Sequence, residues 1–109
     1  FGSDQSAWRH QVKAFSPFYR LLLFDHVGAG QSDMSAYSPR RYRTLYSYAE
    51  DVLELLAELR LTEVIFVGHS VSGMVGLLAA LLDPSRFRQL VFVSASPRYL
   101  NDPATNYIG

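Results

Sequence analysis

Six consecutive residues, Gly68-His69-Ser70-Val71-Ser72-Gly73, carry the chemistry most open to reading in this chain. A serine hydroxyl becomes an effective nucleophile when a turn exposes it, a base takes its proton and nearby N–H groups hold the oxyanion. An apolar run, Thr62-Glu-Val-Ile-Phe-Val67, leads into Ser70, and a second, Met74 to Leu82, leaves it. A buried strand that turns sharply into a buried helix lifts an apex serine out above the sheet on strained backbone. Gly68 sits where strand and helix must approach, and Ser72 sits where a large side chain would crowd the turn. The N–H of Val71, in the first turn of that helix, points toward a developing oxyanion. The usual spacing is G-x-S-x-G; here Ser72 holds the last position and glycine is delayed to Gly73. The competing reading is a glycine-rich turn that binds phosphate, but neither G-x-G-x-x-G nor a P-loop lysine is present.

The elements that must position this turn follow from periodicity. Ser3 or Asp4 caps a short helix with Trp8, Val12 and Phe15 on one stripe, and Pro17 ends it. Arg20-Leu-Leu-Leu-Phe-Asp25 is a continuous apolar run, expected as a strand covered on both faces, and Gly28 to Asp33 is a loop. Thr44 or Ser47 opens the next helix, and Ser47-Tyr-Ala-Glu50 fits a capping box. Tyr48, Val52, Leu55, Leu56 and Leu59 form its apolar stripe, with Glu50, Asp51, Glu54 and Glu58 toward water. Thr62–Val67 is a second strand, and Met74–Leu82 a helix apolar nearly all round. Asp83-Pro84 stops that helix, and Gln89–Ser94 is a third strand. Three apolar strands separated by helices mean parallel β-α-β units, an α/β fold.

Composition narrows the function classes. The 109 residues suit one domain at most, and 49% hydrophobic with 18% charged is globular. Ten basic residues balance ten acidic ones, so no net field draws the chain to nucleic acid or an anionic membrane. Arg40, Arg41 and Arg43 read as a solvated loop before a phosphate contact. No cysteine is present, and His10, His26 and His69 lack ligand spacing, so neither a metal site nor a cofactor is expected. The longest apolar stretch falls far short of the roughly 20 residues that span a bilayer. The expectation is a soluble, cytoplasmic protein.

Other polar residues read as structural. His69 neighbours Ser70 but points elsewhere on a sharp turn, so it packs or lines a rim. His26 follows a strand end near a pocket mouth. Asp25 is expected to hydrogen-bond the glycine loop, and Asp33 and Asp102 to serve as caps or turn residues. Tyr37, Tyr42, Tyr46 and Tyr48 are expected to pack.

With the elbow in hand, the remaining segments carry a resemblance. The opening run Phe1-Gly-Ser-Asp-Gln-Ser-Ala-Trp8, the loop Asp25-His-Val-Gly-Ala-Gly-Gln-Ser-Asp33, Val67-Gly-His-Ser-Val-Ser72 and Ser94-Ala-Ser-Pro-Arg-Tyr-Leu-Asn-Asp102 stand together. The chain resembles α/β-hydrolases of the strigolactone- and karrikin-receptor group and their bacterial relative, the hydrolase that activates an energy-stress phosphatase. Asp25-His-Val-Gly-Ala-Gly is a loose superfamily feature, while Gly-His-Ser-Val-Ser with Ser-Pro-Arg-Tyr-Leu-Asn-Asp is specific. The resemblance covers essentially the whole chain. It implies that the Phe1 position gives a second backbone N–H to the oxyanion hole and that its ring lines the pocket. It also implies an acid Asp and a base His further along than Gly109, after a helical cap, in the chain order serine, acid, histidine.

The expected activity is hydrolysis of a small apolar ester or lactone through an acyl-enzyme, with Ser70 as nucleophile and the Phe1 and Val71 amides as oxyanion donors. The alternative is a small-ligand receptor that uses the same pocket to signal to a partner protein; a non-catalytic α/β domain is the third reading. Residues 1–109 are expected to be a partial hydrolase core, the N-terminal and central portion of the sheet. The strand preceding Phe1 would lie between the Leu21–Phe24 and Val64–Val67 strands, so the piece alone is expected to be inactive.

Overall fold

The computed structural model describes residues 3–108, and they divide after Arg41 into two compact units. In the first, Asp4 caps a 3-10 turn, Gln5–Trp8, by accepting from the Ser6 N–H, and the chain continues into α1, Arg9–Phe15. Ser16, with Pro17 directly behind it, ends the helix, as proline geometry requires.

The expected first strand does not form. Residues 20–25 belong to no regular element, and Leu21 and Leu22 are exposed. An apolar run becomes a strand only where a neighbour takes up its N–H and C=O groups. Among the described residues the only sheet is a pair built further along the chain. Two strands therefore stand where three were expected.

The second unit is a β-α-β crossover with one helix before it. α2, Leu45–Glu58, starts at Thr44. Ser47 is thus the third helical residue, and Thr44, not Ser47, holds the N-cap position that the expected capping box gave to Ser47. Tyr48, Ala49, Val52 and Leu56 are its buried stripe, whereas Leu59, at the C-cap, is exposed. Asp51 does not simply face water: its carboxylate accepts the Tyr42 hydroxyl at 2.8 Å. The Tyr42 and Tyr48 rings pack with centroids 4.8 Å apart. The helix closes with Leu61 N–H on the Leu56 carbonyl and Arg60 N–H on that of Ala57. Arg60 takes the left-handed position (φ 54°) that completes this Schellman arrangement.

β1 runs Val64–His69, α3 Val71–Leu82 and β2 Phe87–Val93. The strands are parallel, with Ile65 opposite Gln89 and His69 opposite Val93. β1 starts two residues later than expected because Glu63 turns the chain (φ 56°), and it reaches His69 because the ladder with Val93 continues. Arg86 ties the start of β2 to the approach to β1, bonding the Leu61 carbonyl at 3.2 Å and the Asp83 carboxylate at 3.1 Å. Val52, Val75 and Ala79, at 0–2% exposure, are the centre of the core. α3 buries Gly73, Val75, Gly76 and Ala79, yet Leu81 and Leu82 are exposed. Composition marked this helix as apolar all round, but its partners, α2 and the sheet, cover a single face. The strands are likewise not enclosed on both faces, since Val67, Val91, Phe92 and Val93 are 38–46% exposed. No helix among the described residues is long and apolar enough to cross a membrane.

Candidate active site

β1 delivers the chain to Ser70 and α3 carries it away, so one residue must reverse direction within a single peptide. Ser70 does so at φ 55° and ψ −131°. Such backbone is sparsely populated by residues with a Cβ and persists only where the surroundings over-determine it. Three contacts do so here. The Ser70 N–H donates to the Val93 carbonyl at 2.9 Å, and the Ser70 carbonyl accepts the Gly73 N–H at 3.0 Å. Gly68 supplies the third: a Cβ there would lie 2.5 Å from the Gly73 nitrogen and 2.7 Å from the Ser72 carbonyl carbon. No L side chain fits that gap.

Ser70 is the N-cap of α3, but its side chain makes no capping hydrogen bond. The hydroxyl is therefore not consumed by the helix end it introduces, and Ser70 is half-buried. The Val71 N–H is the first of α3, among the amides at a helix start that have no carbonyl one turn back. A helix of 12 residues with no acid in its first turn presents a positive end at this point. A reacting carbonyl at Ser70 would meet a hydroxyl and an amide on adjacent residues. His69 closes β1 beside it and is exposed. Phe1, the other expected N–H donor, lies outside the described residues.

Gly73 was legible as the late glycine of the motif, but its reason was not. A Cβ at Gly73 would come within 2.6 Å of Ala95 Cβ, so the segment after β2 presses on the first turn of α3. Neither the Val93 carbonyl nor Ala95 was expected at the elbow. A sequence signal existed only in the short distance from the end of the last strand to Ala95.

The carboxylates do structural work. Asp25 accepts the Gln31 N–H at 2.9 Å and the Gln5 N–H at 2.7 Å. These bonds, Gln31 foremost, hold its carboxyl below the ordinary range. This is the loop-binding role expected of it. Because the folded value is depressed, the contribution is whole above the unfolded carboxylate pKa of about 3.9 and fades as pH falls through the folded value. Amide-exchange protection at Gln31 is expected to hold from pH 7 to 5 and to decline below about pH 4. Loss between pH 7 and 5 would contradict the assignment. Asp33 caps a short turn, Met34–Ala36, through the Ser35 N–H. Asp102 pairs with Arg98 at 3.0 Å and accepts the Ala104 N–H.

A family model described as alpha/beta hydrolase fold matches residues 2–108. A protein of Oryza sativa subsp. japonica described as a probable esterase is 49% identical over 102 residues, 94% of this chain and 38% of its own length. A karrikin insensitive 2 receptor of Petunia hybrida is 47% identical over 102 residues, again 94% of this chain and 38% of its own. Among solved structures, a hydrolase from Oleispira antarctica superposes with a TM-score of 0.93 at 37% identity, covering 100% of this chain and 40% of that one. The chain thus spans about two fifths of the length of the proteins it matches.

Proposed function

The chain belongs to the alpha/beta hydrolase fold family, and from that premise we propose that it carries the nucleophile of a serine hydrolase acting on small apolar esters or lactones. The observation that carries the reading is Ser70 itself, held at φ 55° on the β1–α3 turn with its hydroxyl uncommitted to capping. Ser70 Oγ bonds to the carbonyl carbon as its proton passes to a histidine base, expected further along than Gly109. The carbonyl π pair moves onto oxygen, and the Val71 N–H stabilises that oxyanion. Phe1 is proposed as the source of the second N–H. Collapse expels the alcohol, which recovers the proton, and water then releases the acid and frees Ser70. The relatives' descriptions as esterases support an ester as substrate.

The test is a fluorophosphonate probe offered to the full-length protein, with the labelled peptide sequenced and an aryl ester assayed alongside. Labelling confined to the peptide with Ser70, together with ester turnover, is the expected result. Label on another serine would sink the assignment. The 109 residues by themselves, without a proposed base, are expected to show no turnover.

A second reading has its own support, since relatives at 41–47% identity are described as karrikin insensitive 2 receptors. In that reading the serine pocket holds a small apolar ligand whose state a partner protein senses. Ligand-dependent binding of a partner, unaltered in a variant that no longer turns over ester, would favour it.

A further inference from the structure

The ends of the two strands are built alike. His69 and Val93 face each other across the ladder, and the residue after each, Ser70 and Ser94, has positive φ, 55° and 50°. Neither is glycine, so each conformation is strained for its residue and must be imposed by its surroundings. Ser70's strain has a proposed use, the presentation of a nucleophile. Ser94 is exposed, and that proposal assigns it nothing.

The residues around Ser94 indicate what its turn achieves. Immediately before it, the Val93 carbonyl accepts the Ser70 N–H at 2.9 Å. Immediately after it, Ala95 lies where a Cβ on Gly73 would come within 2.6 Å, against the first turn of α3. One contact grips the elbow on its strand side and the other on its helix side. Ser94 is the single residue between them. With Ser94 in ordinary extended backbone, β2 would carry straight on past Val93. Ala95 could not then fold back onto Gly73 while the Val93 carbonyl stayed on Ser70.

Resting on the reading of Ser70 as nucleophile, we infer that Ser94 is a positioning residue: its left-handed turn clamps the elbow from the neighbouring strand and fixes the aim of Ser70 Oγ and the Val71 N–H. The requirement is on backbone conformation and not on the hydroxyl. Residues that tolerate positive φ therefore preserve the clamp, and β-branched residues open it. Displacements of about 1 Å at a reacting centre are enough to cost up to about 100-fold in rate.

The experiment compares Ser94→Gly, Ser94→Asn, Ser94→Thr and Ser94→Val in the full-length protein. It reads the second-order rate of fluorophosphonate labelling at Ser70, kcat and KM for an aryl ester, and exchange of the Ser70 amide. Gly and Asn are expected to stay within about twofold of the parent. Thr and Val are expected to fall about tenfold or more in labelling rate and kcat, with KM little changed and the Ser70 amide exchanging faster. If Val does not fold, Thr against Asn decides the matter. Thr behaving as parent while Gly loses rate would place the role in the hydroxyl and overturn the inference, as would four equal rates. A parent protein that takes no label at Ser70 defeats the nucleophile reading instead. The Ser70 amide-exchange ranking would then still stand as a separate check on the clamp.

Discussion

Ser70→Ala is expected to abolish covalent labelling and to lower ester turnover in the full-length protein by about a millionfold, the scale seen when a nucleophilic serine is removed. The variant removes one oxygen and leaves the turn that presents it. The Ser70 N–H on Val93 and the Ser70 carbonyl on Gly73 are backbone bonds, so they survive the substitution. Because the Ser70 side chain caps nothing, α3 loses no cap bond. Alanine at φ 55° bears much the same Cβ strain as serine. The change in stability should therefore stay within about 0.5 kcal/mol, the range of substitutions that touch no structural feature. The combination of lost chemistry and retained fold is what distinguishes a nucleophile from a structural serine. Calorimetry run beside the labelling experiment checks it, and a variant that keeps a substantial fraction of parental turnover removes Ser70 from the mechanism.

Gly68→Ala is expected to be strongly destabilising, because its added methyl meets backbone and not a movable side chain. Its Cβ would meet the Gly73 nitrogen at 2.5 Å, the Gly73 Cα at 2.6 Å and the Ser72 carbonyl carbon at 2.7 Å. All three are backbone atoms of the turn and of α3, so no rotamer change relieves the clash. The helix must shift away from β1, and α3 packs its buried Gly73, Val75, Gly76 and Ala79 on that side of the unit. Overpacking of this kind costs about 1–3 kcal/mol, and a backbone-on-backbone clash belongs at or beyond the upper end. Against a domain stability of about 5–15 kcal/mol that is a large share. The same shift would carry the Val71 N–H off its line, so labelling at Ser70 should slow even in the fraction that folds. Urea denaturation is the measurement, with the midpoint falling and the slope unchanged. A midpoint equal to the parent's would mean that strand and helix do not touch as closely as the geometry states.

Both expectations rest on a turn whose place was legible in the chain before its structure. The sharp turn at Ser70 and the close approach at Gly68 could be picked out because their cause is local: an apolar strand, a reversal within one residue and an apolar helix follow each other in sequence. Asp4 as a cap, Asp25 under its glycine loop and Asp33 at a short turn are equally local, since each carboxylate serves N–H groups set by nearby turn geometry. The stripe of Tyr48, Val52 and Leu56 came from helical periodicity alone.

Tertiary structure decided the rest, wherever the determining partner is remote in sequence. The run Leu21–Phe24 has strand composition and no ladder partner among the described residues, because pairing belongs to two segments and not to one. Ser47 is not the N-cap that its capping-box spacing suggested, since α2 already begins at Leu45 behind Thr44. α3 is apolar on every side, but only the face that meets α2 and the sheet is buried, so Leu81 and Leu82 stay exposed. The hold on Ser70 from Val93 and Ala95 spans more than 20 residues of chain. Spacing around a serine announces that a strained turn is wanted; only the neighbouring strand, folded alongside, supplies the force that keeps it strained.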